Sequence, residues 1–274
     1  MSKLIKILMA VAAIYAVVAI FVFTQQRSFL YFPPNTYLPP EAVGVPEMEE
    51  IPISAGSMSW ATAWWAPPTS PTGKIVMVFH GNGSAVFSNY HIYRDLIDAG
   101  HGVWGVGYPG YPGPSPERSA ISQQSIVLAA SLQYEAVQDR NDANAEIVYY
   151  GTSLGTGVAA QLARQHPPSL LIMDAPFNST LDMGRRQMPF LPVGLLMKDT
   201  FESDKALADL EMPMIWLHGT NDGVIPVSQG QKLYDGYRGP KTAHIIEGGQ
   251  HMNLWTLGGR EITLAALSEE TPPP

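Results

Sequence analysis

The sequence contains no cysteine. That excludes disulfides, thiolate metal sites, a cysteine nucleophile and a lipidated N-terminal cysteine. Charge is also scarce, with only 15% of the 274 residues charged. Lys and Arg number 16 against 24 Asp and Glu, for a formal net charge of −8. No Lys/Arg-rich run occurs, so a nucleic-acid partner is not expected. There is no H-E-x-x-H and no pair of His or carboxylate residues at metal-ligand spacing on one helix. Neither a metal nor another cofactor is expected. No internal repeat and no second domain boundary are visible.

Apolar residues are what the chain has in quantity, at 46%. Some of them form an unbroken run. Residues 7–23 carry no charge, and the Tyr15 hydroxyl is their one polar side-chain group. At about 1.5 Å per residue the run spans roughly 26 Å, the lower limit for a membrane helix. A cleaved signal peptide has a shorter apolar core and a small-x-small cleavage site. This run continues into "TQQRSF" instead, so a retained anchor is expected. Lys3 and Lys6 precede it and Arg27 alone follows. By the positive-inside rule the N-terminus is then cytoplasmic and the globular part extracytoplasmic, periplasmic in a bacterium. The expected division is an anchor over 1–27, a Pro- and aromatic-rich linker over 28–48, a catalytic domain over 49–268 and a tail over 269–274.

Downstream, β-type runs occur at 49–54, 58–65, 74–79, 100–108, 146–150, 169–174, 212–218 and 242–247. Helical patterns lie near 87–98, 116–138, 154–165, 227–236 and 252–267. This alternation predicts an α/β fold, a mostly parallel sheet with helices on both faces. Residues 175–205 break the rhythm. They hold no strand pattern and two Met-rich apolar patches, as lids and binding loops often do.

The chemistry is expected at the strand ends. "IVYYGTSLGTGVAAQLA" (147–163) places Ser153 between a strand and a helix, flanked by Gly151 and Gly155. Glycines there leave room for the tight turn that exposes a nucleophilic hydroxyl. The expected base is His251 in "EGGQHMN", on a loop after the 242–247 strand. His244 lies inside that strand and reads as a core histidine; His91 and His101 read as helix or surface residues, and His166 follows a helix. The expected acid is Asp222 in "LHGTNDGVIP", with Asp174 and Glu247 as rivals. The chain order Ser, Asp, His is that of one family of triads. For an oxyanion hole, two backbone N–H groups are needed. Leu154 supplies one, and Asn82 in "VMVFHGNGS" the other, with His80 ordering that loop. "GVGYPG" (105–110) matches a dinucleotide fingerprint, but prolines follow where a helix must start, so it reads as a loop. Phe190, Leu195 and Tyr108 are expected at the substrate pocket.

These segments together resemble the α/β-hydrolase superfamily. More narrowly, the chain looks like the membrane-anchored α/β-hydrolase-domain serine hydrolases, a group that includes protein depalmitoylases. The resemblance rests on "RSFLYFPP", "HGNG" (80–83), "GYPGYPGPSP" (107–116), "GTSLGTGVA" (151–159), "DAPFNS" (174–179), "LHGTNDGVIP" (217–226) and "EGGQHMN" (247–253). It implies an α/β-hydrolase fold, with Ser153 as nucleophile, Asp222 as acid and His251 as base. Pro109 and Thr156 depart from the family pattern, outside the triad. The resemblance implies cleavage of an ester, thioester or amide, an ester or thioester being expected here; the apolar patches over 188–197 favour an apolar acyl substrate, and the expected anchor favours a small-molecule or lipidated one at a membrane. A peptidase or amidase of the same fold, and a non-catalytic binding member, are the alternatives.

Overall fold

The computed structural model describes residues 2–55, 58–114 and 121–268. The expected tail over 269–274, and the start of the helix expected over 116–138, lie outside the described residues.

The chain opens with α1 (Lys3–Leu30), a helix long and apolar enough to cross a membrane, with a mean hydropathy of 2.7 over its most apolar window. Ser2 caps it: its side chain accepts from the Ile5 amide. The helix runs three residues past the expected anchor boundary at 27 because nothing in "RSFL" breaks it; Pro33 and Pro34 come only after it ends. The following stretch packs on the domain through Tyr31, Val45 and Met48, all buried.

The sheet begins with β1 (Glu49–Ala55) and β2 (Met58–Ala66). Then come β3 (Ile75–Phe79), α2 (Tyr90–Asp98), β4 (Gly102–Val106), α3 (Gln123–Gln138) and β5 (Ile147–Thr152). These are followed by α4 (Leu154–Ala163) and β6 (Leu170–Asp174). The excursion after β6 holds three short helices and no strand among the described residues: α5 (Thr180–Gln187), α6 (Val193–Leu196) and α7 (Ser203–Ala206). The fold closes with β7 (Met214–Gly219), α8 (Val227–Gly236), β8 (Lys241–Ile246) and α9 (Gly259–Ser268).

The strands form one sheet in the order β1-β2-β4-β3-β5-β6-β7-β8. The β1–β2 and β2–β4 pairs are antiparallel and the remaining pairs parallel. Every residue of β3, β4 and β6 is buried. Strands covered on both faces read as continuous apolar runs, which is why "IVMVF" and "LLIMD" were readable as strands. No residue of β8 is fully buried. This strand lies at the sheet edge, and His244 is half-buried there, not the core residue its strand position suggested. His101 departs the other way: it is buried, and its Nδ1 accepts from the Lys74 amide at 3.1 Å.

Two apolar clusters cover the two faces of the sheet. One gathers Met77, Phe79, Trp104 and Tyr149 with α3 and α4; the other gathers Val76, Val78, Val103 and Tyr150 with α2 and α9. β3 has β4 on one side and β5 on the other, so the strand order reverses there. Ligands in open α/β sheets bind beyond the carboxyl ends of strands at such a switch point. The "GVGYPG" segment leaves β4 as a loop, with no helix opening at its glycines.

Candidate active site

β5 ends at Thr152 and α4 begins at Leu154, so the whole turn rests on Ser153. Its φ of 54° and ψ of −120° are strained for a residue with a Cβ. The two flanking glycines make the turn possible. A Cβ on Gly151 would lie 2.7 Å from the Gly155 carbonyl oxygen, and one on Gly155 would lie 2.1 Å from that of Phe79. The turn is held by Ser153 N–H donating to the Asp174 carbonyl at 2.9 Å and Thr156 N–H donating to the Ser153 carbonyl at 2.9 Å.

The structure brings His251 and Asp222 to this serine. His251 Nε2 lies 2.9 Å from Ser153 Oγ, and His251 Nδ1 lies 2.8 Å from Asp222 Oδ2. A carboxylate can only accept, so Nδ1 carries the proton and Nε2 is left to accept from the serine hydroxyl. Asp222 Oδ1 accepts from the amides of Val224 and Ile225, both at 2.8 Å. Burial alone would raise the Asp222 carboxyl. Hydrogen bonds from His218, His251 and the Ile225 amide outweigh it and hold the group well below the usual carboxylate range.

His218 is a member of this array that the sequence reading passed over as the last residue of a strand. It is fully buried, with Nε2 3.5 Å from Asp222 Oδ2. Trp216 Nε1–H donates to His218 Nδ1 at 3.0 Å, so the proton sits on Nε2, which donates to the Ile225 carbonyl at 2.9 Å. The signal available in the sequence was its place four residues before Asp222.

Of the rival acids, Asp174 ends β6 but accepts from the Tyr150 hydroxyl at 2.8 Å. Glu247 is exposed beyond β8. Neither makes a hydrogen bond to His251.

The loop after β3 passes over Ser153. A Cβ on Gly81 would stand 3.4 Å from that of Ser153. Asn82 and Leu154 both line the cavity at the serine. As the first residue of α4, Leu154 has an amide with no partner inside the helix. Asn82 is tied on both sides: its carbonyl accepts from Phe32 N–H at 3.1 Å and Tyr111 Oη at 2.8 Å. Its side-chain amide donates to the Leu30 carbonyl at 3.0 Å. His80, fully buried, donates from Nδ1 to the Gly81 carbonyl at 2.8 Å, with its ring 3.9 Å from that of Tyr108 between centroids.

Ser153 opens into a cavity of about 400 Å³, of the size that holds small ligands. One wall comes from the excursion, through Met183, Met188, Leu191, Val193, Leu196 and Met197. Residues of α1 form another. The three residues expected at the substrate pocket are not on its walls. Tyr108 is 1% exposed and lies beneath the loop after β3, its hydroxyl donating to the His80 carbonyl at 3.1 Å. Phe190 and Leu195 are 64% and 87% exposed. The short turn of α6 points Val193 and Leu196 inward, which leaves Leu195 facing out.

Two buried groups near the site titrate in opposite senses. Burial pushes His80 from 6.5 down to about 4 and Asp174 from 3.8 up to about 6. Unfolded chains protonate the histidine below 6.5 but the folded protein resists until about 4, so stability present above 6.5 is lost as pH falls toward 4. For Asp174 the folded state keeps its proton up to about 6, so stability is lost as pH rises from 3.8 to 6. The two slopes offset in the wild type. Asp174→Asn is expected to stabilise the protein at pH 7.5 relative to its effect at pH 4.5 by about 2 kcal/mol. His80→Gln is expected to show the reverse dependence. Thermal unfolding followed by tryptophan fluorescence at the two pH values checks both; parallel shifts at both values would contradict the assignment.

No family model matches the chain. The uncharacterized protein Rv2307c of Mycobacterium tuberculosis is 30% identical over 256 residues, covering 91% of this chain and 90% of that protein. The alpha/beta hydrolase domain-containing protein WAV2 of Arabidopsis thaliana is 26% identical over 68% of this chain and 66% of its own. The lysophosphatidylserine lipase ABHD12 of Danio rerio is 26% identical over 73% of this chain and 58% of its own. Among solved structures, the Pyrococcus furiosus esterase Pf2001 superposes with a TM-score of 0.66 at 14% identity, covering 87% of this chain and 96% of that one. With that sheet order, that nucleophile turn and these relatives, the chain belongs to the α/β-hydrolase superfamily.

Proposed function

We propose that the protein is a membrane-anchored serine hydrolase that cleaves an ester or thioester of an apolar acyl group. The observation that carries this reading is the hydrogen-bonded chain Asp222–His251–Ser153 opening into an apolar cavity. In the proposed reaction Ser153 Oγ attacks the acyl carbonyl carbon while His251 Nε2 takes its proton. The tetrahedral oxyanion accepts hydrogen bonds from the Leu154 and Asn82 backbone N–H groups. Collapse breaks the bond to the leaving group, which receives the proton from His251. Water, deprotonated by the same imidazole, then attacks the acyl-serine and releases the acid. Asp222 stays ionised, fixing the imidazole tautomer and stabilising the imidazolium.

The esterase and lipase relatives support an ester substrate, and the apolar cavity supports an acyl chain over a peptide. The length and composition of α1 support an anchor over residues 1–27, ahead of a catalytic domain over 49–268. The two lysines before the apolar run support a cytoplasmic N-terminus with the domain on the other side. Labelling of the full chain with a fluorophosphonate probe tests the proposal. The expected adduct maps by mass spectrometry to Ser153. A folded protein that takes no label would point instead to a binding protein on this fold.

A further inference from the structure

The α1 helix has the composition of a membrane span, yet its last turns belong to the cavity. In its second half the half-buried positions are Ala19, Val22, Gln26 and Leu30, with the residues between them exposed. Spacings of three, four and four place them on one helix face. Val22, Phe23, Gln26, Phe29 and Leu30 line the cavity that holds Ser153.

This contact is fastened along its length. Gln26 Nε2 donates to the Leu196 carbonyl at 3.0 Å, and Gln26 Oε1 accepts from Lys198 N–H at 2.7 Å. Arg27 Nε and Nη2 donate to the two carboxylate oxygens of Asp199 at 2.8 and 3.3 Å. Asp199 is buried and also accepts from the Gln123 amide at 3.2 Å. Earlier in the helix, Tyr15 Oη donates to the Phe190 carbonyl at 3.1 Å.

That last bond fixes a depth. Tyr15 lies about 12 Å along the helix axis from Phe23, inside the apolar run. The excursion therefore lies beside the outer part of that run. Phe190 and Leu195 project there, and their exposure would be unfavourable in water but not in hydrocarbon. Residues 183–198 also hold Arg185, Arg186 and Lys198 with no acidic residue, in a chain of net charge −8. Cations beside an apolar segment suit the interface of a bilayer.

We propose that α1 forms one wall of the acyl-binding site. A long acyl chain of a bilayer lipid ester enters between α1 and the 183–197 segment, with its carbonyl at Ser153. The anchor then selects chain length as well as location. This rests on Ser153 being the nucleophile.

The test uses the full chain in phosphatidylcholine vesicles with two substrates, water-soluble p-nitrophenyl acetate and bilayer-held p-nitrophenyl palmitate. Val22→Trp fills the site from the α1 side and is expected to lower the palmitate-to-acetate ratio of kcat/KM at least tenfold. Ile20→Trp, on the same helix but off the cavity, is expected to keep the wild-type ratio. Val22→Ala adds room and is expected to move the chain-length optimum upward; it decides the matter if the tryptophan variant does not fold. Fluorophosphonate labelling reports Ser153 separately. A labelled Val22 variant with an unchanged ratio overturns the α1 wall. A wild type with no hydrolysis and no Ser153 label overturns the nucleophile reading instead.

Discussion

Ser153→Ala is expected to lower kcat at least ~10⁴-fold, to the level that binding and the oxyanion donors sustain alone. No second hydroxyl stands within hydrogen-bond reach of His251 Nε2 among the described residues, so no neighbour substitutes for it. Folding is expected to move the other way. The backbone of Ser153 sits at φ 54°, a conformation that disfavours any Cβ by about 1–3 kcal/mol. Ser153→Gly removes that strain as well as the hydroxyl. It is expected to raise the melting temperature by ~2–4 °C per kcal/mol recovered, while taking activity to the alanine level. Calorimetry and ester hydrolysis on the same preparation check both. A glycine variant that melts below wild type would show that the turn is not strained; an alanine variant with wild-type turnover would remove Ser153 from the mechanism.

Asp222→Asn carries the second large effect, an expected fall of ~10⁴-fold in kcat. The asparagine amide would present N–H to His251 Nδ1 and favour the wrong tautomer. The proton would move to Nε2, which then has nothing with which to accept from Ser153. The fold is expected to persist, because an asparagine oxygen can still accept from Val224 and Ile225. Asp174→Asn is the matched comparison. It sits on Tyr150, not on His251, and is expected to keep turnover within tenfold of wild type. Steady-state kinetics on the two variants separates the rivals. If the losses were exchanged, the acid would be Asp174.

The two variants also mark where the sequence was readable. The central strands β3, β4 and β6 were legible because they are buried throughout and so read as short continuous apolar runs. Ser153, Asp222 and His251 were legible because each lies in the turn or loop just beyond the carboxyl end of a strand, and so at one end of the sheet. The cavity wall was not. Which side of α6 faces inward is decided by α1, some 170 residues away, as the Gln26–Leu196 bond shows. Local sequence contains no trace of that contact, so Phe190 and Leu195 looked as suited to the pocket as Val193 and Leu196. Tyr108 failed for a related reason: an aromatic in a Gly-Pro loop resembles a pocket rim until the stacking with His80 is seen. His218 was hidden by its own strand: its place four residues before Asp222 was the one signal, and in an apolar run it read as part of the strand.

The bond from the Asn82 side chain to the Leu30 carbonyl has a practical side. A shortened version made by removing all of α1, through Leu30, would keep the sheet, the nucleophile turn and the Asp222–His251 pair. It would fold and bind the probe. Yet the loop whose Asn82 amide is proposed to meet the oxyanion would have lost one of the three hydrogen bonds that hold Asn82, and with it some of its aim. Rates measured on such a fragment would describe a slower catalyst than the one the cell makes.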